Sequence, residues 1–281
     1  MNEMRIDRIY IVANTTKEAA LRVLSEVKSW SQQKQIKVTA VKSKGVTVEK
    51  GEEALVLALG GDGTVLRAAS MFAELGIPIL GANLGSLGFL TQVSASSLTD
   101  SLDQIIDGEF SVEERMRLSY ACGDNVGTVL NDIVIEGTSR VRFCEIELSW
   151  RRERVASYSG DGLILSTATG STAYALSAGG PVIVPPAACI LGSPLATHRL
   201  GVRPIIFPAE ETLSVNTRTE TSIFVDGDHL TDLPPKSKLS VKKAPSPTNL
   251  IRMHGAPSFF ELLQEKLNWG DSKGDRKTAW H

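Results

Sequence analysis

Cysteine is scarce in this chain of 281 residues, and the three present (Cys122, Cys144 and Cys189) are odd in number and widely scattered. That excludes a disulfide framework and a zinc site built on paired cysteines. The four histidines are equally dispersed and no GxSxG occurs, which excludes a serine hydrolase with a nucleophile elbow. His198, in Ala196-Thr197-His198-Arg199, reads as a structural or interface residue. An excess of either charge is also missing: 30 Lys and Arg stand against 32 Asp and Glu, so nothing recruits nucleic acid or an anionic membrane. No apolar run reaches membrane-spanning length. The opening MNEMRIDRIYIVAN has no long apolar core or cleavage site, so no signal peptide and a cytoplasmic location are expected. Two nucleotide signatures are absent as well. GxxxxGK[ST] occurs nowhere, and Asn14-Thr15-Thr16 stands where a dinucleotide-binding GxGxxG would follow the first strand. A Walker-type NTPase is excluded, and a dehydrogenase disfavoured.

The remaining composition, 42% apolar and 22% charged, is that of a folded globular chain with ample length for a core. Its pattern changes near residue 115. Before that point strands (Arg8–Ala13, Ile36–Val41, Leu55–Leu59, Ile77–Leu80) alternate with helices (Thr16–Gln33, Thr64–Leu75, Ser97–Ile106). Such alternation predicts a doubly wound α/β domain over 1–115. Beyond it come short runs: Gly127–Ile135, Arg142–Trp150, Glu153–Ser157, Gly162–Ser166, Thr212–Asn216, Ser222–Asp226 and Lys238–Lys243. They predict an all-β, sandwich-like C-terminal domain over 116–250. A helix at Ser258–Leu267 and a polar, disordered tail at Gly270–His281 make 251–281 a segment returning to the first domain.

The apolar run Leu55-Val56-Leu57-Ala58-Leu59 ends abruptly in Gly60-Gly61-Asp62-Gly63-Thr64. A wholly apolar strand bounded by glycine suits a parallel sheet buried on both faces. Glycines at its carboxyl end let bare amides approach an anion, and the amino terminus of the next helix adds partial positive charge. A phosphate site is the natural reading, with Arg67 one helical turn further on. Asp62 is the anomaly, because a carboxylate among phosphates is costly unless it has chemistry to perform. The plain alternative is a strand–turn–helix junction with Asp62 as a helix cap.

Four further patches stand out. Gly81–Leu90 (GANLGSLGFL) opens at the same sheet edge, although its glycines alone read as turn formers. Asn131-Asp132 precedes a strand, where such residues are usually turn formers but also suit the cis hydroxyls of a ribose. Ser159–Tyr174 (SGDGLILSTATGSTAY) runs from a buried strand into hydroxyls and small residues, with Ser171 or Thr172 as an ordinary helix cap in the plain reading. Phe224–Asp228 contains Asp226-Gly227, most often a hairpin turn.

Taken in order, GGDGT at Gly60–Thr64, LGFL at Leu87–Leu90, Asn131-Asp132, DGLILSTATGSTAY at Asp161–Tyr174, SAGGP at Ser177–Pro181 and PLATHRLGVRPIIFP at Pro194–Pro208 resemble the NAD kinases. The resemblance covers about residues 5–250. GGDGT alone also fits diacylglycerol and sphingosine lipid kinases, which are the alternative; the TGSTAY block with SAGGP is far more selective. The resemblance implies transfer of the terminal phosphate of ATP, or of polyphosphate, to the adenosine 2′-hydroxyl of NAD. It makes Asp62 the catalytic base, with Gly63 beside it at the NAD. Asn131 and Asp132 then contact the dinucleotide, although the family usually has Glu at the second position. Thr169, Thr172, Ala173, Tyr174 and Ser177 form the adenine-side wall, Asp161 belongs to the nicotinamide end, and Arg142 lines the site. Asp228 stands where Gln is common.

The chemistry agrees with that assignment. Phosphoryl transfer relies on positioning and electrostatics, with Mg²⁺ bridging the phosphates. Asp62 can take the ribose proton as the bond to phosphorus forms. The amides of Gly60, Gly61, Gly63 and Thr64, with Arg67, are expected to hold the donor. No preformed metal cage is visible in the sequence, so Mg²⁺ or Mn²⁺ is expected to arrive with ATP. The β domain offers many short strand edges that self-association would cover, so a homodimer or homotetramer is expected.

Overall fold

The computed structural model describes residues 6–13, 18–43, 45–48, 53–138, 143–197 and 201–270. In chain order the strands are β1 (Arg8–Ala13), β2 (Lys37–Ala40), β3 (Ala54–Leu59), β4 (Ile79–Asn83), β5 (Val93–Ser94), β6 (Phe110–Arg115), β7 (Leu118–Cys122), β8 (Asn125–Val129), β9 (Asp132–Gly137) and β10 (Cys144–Trp150). They continue as β11 (Glu153–Gly160), β12 (Gly162–Ser166), β13 (Cys189–Leu195), β14 (Ile205–Pro208), β15 (Leu213–Thr217), β16 (Thr221–Val225), β17 (Asp228–Leu233), β18 (Lys238–Lys243) and β19 (Thr248–Met253). The helices are α1 (Glu18–Gln33), α2 (Asp62–Phe72), α3 (Leu98–Ile106), α4 (Tyr174–Ser177) and α5 (Phe259–Leu267). Arg142, His198 and the predicted tail beyond residue 270 lie outside the described residues.

The chain forms two compact units: Met1–Val65 with Pro78–Glu113 and Leu250–His281, and Leu66–Ile77 with Glu114–Asn249. The first is built on a seven-stranded sheet, ordered β2-β1-β3-β4-β19-β6 with β5 paired to β4. The pairings β1–β2, β1–β3, β3–β4 and β4–β19 are all parallel. Every residue of β3 is buried, which is why its sequence is apolar without alternation. On one face Val23, Val27 and Trp30 of α1 and Leu98, Leu102 and Ile105 of α3 cover Ile9, Ile11, Leu55, Leu57 and Leu80. The Trp30 indole N–H donates to Asp103 across these helices at 3.2 Å. Val65 of α2 lies over Gly81 on the opposite face, where a Cβ would come within 2.8 Å of it. With helices on both faces of a largely parallel sheet, this is the doubly wound arrangement the sequence predicts.

The second unit is an antiparallel sandwich of two six-stranded sheets, ordered β11-β10-β15-β18-β7-β8 and β14-β13-β12-β9-β16-β17. Leu118, Ile146, Leu148, Val215 and Val241 of one sheet meet Ile133, Ile135, Leu163, Leu165 and Ile223 of the other. The second sheet is buried on its outer face too, where Val134, Ile164 and Leu191 pack against Ala168, Ala175 and Ile183. Burial on both sides explains the unbroken Leu163-Ile164-Leu165. The run read as one strand over Gly127–Ile135 is two, β8 and β9, in different sheets. The chain changes sheet at Leu130-Asn131. All three cysteines are free and buried.

Candidate active site

In the first unit β3 ends at Leu59 and α2 begins at Asp62, so Gly60-Gly61 is the whole connection. The helix starts at Asp62 rather than at Thr64, because the Thr64 N–H already closes a turn onto the Gly61 carbonyl at 2.9 Å. Asp62 therefore occupies the first helical turn, where the partial positive charge of the helix favours an anion. Gly60 is required by space: a Cβ there would lie 2.0 Å from the Thr64 hydroxyl oxygen.

The expectation that all the amides of Gly60–Thr64 face the donor needs correction. The Gly60 N–H donates to Ala82 O at 2.9 Å, and that of Thr64 is spent on Gly61. Gly61, Asp62 and Gly63 keep N–H groups at the helix amino end, where no carbonyl one turn earlier can reach them. Gly61 and Gly63 are exposed, and so is Arg67.

The Gly81–Leu90 loop does more than turn. Buried Asn83 donates through Nδ2 to Val93 O at 3.1 Å and accepts from the Gly85 N–H at 3.3 Å, which holds both ends of the excursion. The Gly88 N–H donates to the Thr91 hydroxyl at 2.8 Å. So shaped, the loop aims two backbone amides at the catalytic candidate. Phe89 N–H donates to Asp62 Oδ2 at 2.9 Å and Leu90 N–H to Oδ1 at 3.0 Å. A Cβ on Gly88 would sit 2.1 Å from that same Oδ1. The LGFL motif is thus the seat of the Asp62 carboxylate. Two N–H groups fix its plane, and about four lone-pair positions on a carboxylate leave others to accept a proton.

In the second unit Asn131-Asp132 enters β9, and its backbone is held on both sides. The Asp226 carboxylate accepts from the N–H groups of Leu130 (2.9 Å), Asn131 (2.7 Å) and Asp132 (3.3 Å). Opposite, the Thr167 hydroxyl donates to Leu130 O at 2.6 Å and the Thr167 N–H to Asn131 O at 2.9 Å. Gly170 presses on the same peptide, since a Cβ there would meet Asn131 O at 2.2 Å. Asp226-Gly227 is indeed the predicted turn, with φ of 48° and 88° between β16 and β17. Its role in seating Asn131-Asp132 was invisible in the local sequence. Beyond it lies Arg117, 2% exposed, paired with Glu74 at 2.8 Å and with the Thr128 hydroxyl.

Electrostatics mark the same region. Burial, then the Asp226 charge, pushes the Asp132 carboxyl up to about 7. Asp226 is also raised by burial, against the opposing pull of its three N–H donors and Arg117. Exposed Tyr174 has its hydroxyl pushed up by burial of that group and by the charges of Glu136, Asp161 and Asp132, so these groups share one neighbourhood. Asp161 itself is exposed.

The TGSTAY block is a 3₁₀ turn at Thr169–Thr172 followed by α4, with no side-chain cap. The capping alternative for Ser171 and Thr172 therefore fails. Ser171 instead donates to Ala168 O at 2.7 Å and accepts from the Ile183 N–H at 2.9 Å, and Thr172 donates to Thr169 O at 3.2 Å. Thr169 is buried and takes the Arg115 guanidinium at 3.3 Å. Thr172 and Ala173 are half-buried and Ser177 is exposed. Among the described residues no cluster of three or more His, Cys, Asp or Glu could hold a metal ion, and no helix is long and apolar enough to cross a membrane.

Comparison with known proteins gives a consistent answer. Residues 11–110 match the ATP-NAD kinase N-terminal domain and residues 130–253 the ATP-NAD kinase C-terminal domain. The NAD kinase of Moorella thermoacetica is 35% identical over 292 residues, covering 96% of this chain and 92% of its own. That of Gemmatimonas aurantiaca is 39% identical over 228 residues, 78% of each chain. Yeast NADH kinase complexed with NADH superposes with a TM-score of 0.86 at 21% identity, over 97% of this chain and 90% of its own. An NAD kinase from Archaeoglobus fulgidus in complex with ATP gives 0.73 at 24%, over 86% and 92%. At such identities these two structures establish the fold, and the sequence matches establish more. With both domains matched in order along one chain, this protein belongs to the NAD kinase family.

Proposed function

We propose that the chain is an NAD kinase, transferring the terminal phosphate of ATP, or of polyphosphate in its place, to the adenosine 2′-hydroxyl of NAD. The observation that carries this reading is the Asp62 carboxylate, oriented by the Phe89 and Leu90 amides at the first turn of α2. In the proposed step the ribose 2′-oxygen forms a bond to the terminal phosphorus and gives its proton to Asp62. The bond from that phosphorus to the ADP oxygen breaks, and ADP leaves with the electron pair. Gly61 and Gly63 offer amides to the donor, with Arg67 adding charge.

On the acceptor side Asn131 and Asp132 serve the dinucleotide, while Thr169, Thr172, Ala173, Tyr174 and Ser177 make the adenine wall. A divalent cation, Mg²⁺ or Mn²⁺, is assigned to the ATP phosphates, whose charge it would neutralise. The lipid-kinase alternative finds no support in residues 130–253, which match the NAD kinase C-terminal domain. We further assign a homo-oligomer, dimer or tetramer, in which Asp161 completes a neighbouring subunit's nicotinamide end.

A coupled assay of NADP formation tests the reading, with ATP, polyphosphate, NAD and diacylglycerol each supplied in turn. Asp62→Asn keeps the shape but cannot accept the proton, and removing a general base costs about 10²–10⁴-fold in rate. NAD binding by calorimetry is expected to persist in that variant. Near-normal turnover by Asp62→Asn refutes the base assignment.

A further inference from the structure

We propose that Asp226 is a positioning residue for the acceptor: its carboxylate and the Thr167 hydroxyl form two jaws that hold the Leu130–Asp132 backbone in its NAD-binding geometry. This rests on the reading of Asn131 and Asp132 as dinucleotide contacts.

Three amide N–H groups converge on one carboxylate, from residues 94 to 96 positions away in sequence. Such convergence is not needed to close a two-residue Asp-Gly turn. The turn's own ladder contact is separate, with the Asp226 N–H donating to Asp132 O at 3.0 Å. Leu130 and Asn131 lie where the chain passes from one sheet to the other, so neither strand ladder can take their N–H and C=O groups. Buried backbone polar groups need partners. Asp226 supplies the acceptors and Thr167 the donors, and both are rigidly placed. Thr167 is fully buried at the end of β12, its hydroxyl also accepting the Gly170 N–H at 3.0 Å. That bond couples the acceptor dipeptide to the TGSTAY segment.

Charge makes the arrangement specific to aspartate. Hydrogen bonds to an ionised acceptor are stronger than neutral ones. The buried Arg117 guanidinium, anchored by Glu74, stabilises the Asp226 anion within the fold. An asparagine would keep one acceptor oxygen but turn its NH₂ toward a backbone N–H, setting donor against donor. The backbone would then be free to shift, and a displacement of about 1 Å in a positioned group can cost about 10²-fold.

The test is a double-mutant cycle on the full-length enzyme, reading KM for NAD and for ATP separately. Asp226→Asn is expected to raise KM for NAD about tenfold, the loss of roughly one charged hydrogen bond, with KM for ATP within about twofold. The same change in an Asn131→Ala background should have a much smaller effect, because the group it positions is already gone. Full additivity, or an equal rise in both KM values, overturns the proposal. If Asn131→Ala alone leaves NAD affinity unaltered, the assignment of Asn131 to NAD has failed instead, and the two failures are thereby separated. Should Asp226→Asn not fold by near-UV circular dichroism, Thr167→Val opens the opposite jaw with nearly the same volume. It must then show the same selective loss for NAD, and an unchanged KM for NAD overturns the proposal.

Discussion

A single methyl group should disable this enzyme if it is placed at Gly88. The backbone φ of Gly88 is not in the left-handed region, so alanine is conformationally admissible there. The obstacle is steric and specific. An added Cβ would lie 2.1 Å from Asp62 Oδ1, 2.5 Å from its Cγ and 2.6 Å from Oδ2. Ordinary contact begins near 3.4 Å, so the carboxylate or the loop must retreat by about 1 Å. Either movement breaks the bonds from Phe89 and Leu90 N–H, which end on those same oxygens.

A displacement of that size predicts a loss of about 10²-fold in kcat, with a ceiling of about 10⁴-fold if base catalysis is lost altogether. Stability should fall by about 1–3 kcal/mol for the unmade hydrogen bonds. The assay is steady-state NADP formation, with circular dichroism to confirm the fold and urea melts for stability. Gly85→Ala provides the control within the same loop, because nothing lies within 4 Å of its Cβ position. Expected is a normal Gly85→Ala enzyme beside a crippled Gly88→Ala one, its KM for NAD changed far less than its kcat. A Gly88→Ala enzyme with kcat within about threefold of wild type refutes the argument that this loop seats the base.

Two other predictions concern the second unit. Asp132 is raised to about 7, so between roughly pH 4 and 7 the folded state binds the extra proton and stability declines as pH rises. At about 1.4 kcal/mol per pH unit, Asp132→Asn should gain about 2.5–3 kcal/mol on wild type between pH 5 and pH 8 in urea melts, while its KM for NAD rises; parallel pH profiles would contradict this. If Asp161 completes a neighbour's site, the protein should sediment as a dimer or tetramer, Asp161→Ala should weaken NAD affinity more than ATP affinity, and mixing it with Asp62→Asn chains should restore some activity at hybrid sites; a fully active monomer rules that out.

How much of this was legible in the sequence depended on whether the signal was local. β3 announces itself because all six of its residues are buried, leaving an apolar run that ends at the glycines. The α5 helix was equally clear, since Ser258 and Glu261 form a capping box at its start. β13 escaped notice although all its residues are buried, because Gly192 and Pro194 argue against a central strand. The change of sheet at Leu130-Asn131 was missed for another reason: the polar pair Asn131-Asp132 marks a break between Leu130 and Ile133-Val134-Ile135, but a break in the pattern does not say that the chain leaves its sheet. Phe89 and Leu90 could not be named as partners of Asp62 from their side chains, because they act through backbone amides. Asp226 was hidden by its own adequacy as a turn residue. Arg117 gave no sequence signal, being one arginine among many until folding buries it.

In the proposed reading one of the two aspartates is reactive and the other structural, and their surroundings differ accordingly. Each accepts backbone N–H groups from a loop distant in sequence. They differ in how far that demand is met. Both are half-buried, but Asp226 takes three N–H donors and has the Arg117 charge in its field, so its lone pairs are committed to holding backbone. Asp62 takes two donors, one per oxygen, at a helix amino terminus. Two bonds are enough to fix a carboxylate's plane and too few to exhaust it. Orientation without saturation is what a general base requires, since the proton must find a lone pair that no protein donor already occupies. The same side chain, with one more amide and a buried cation, becomes scaffold.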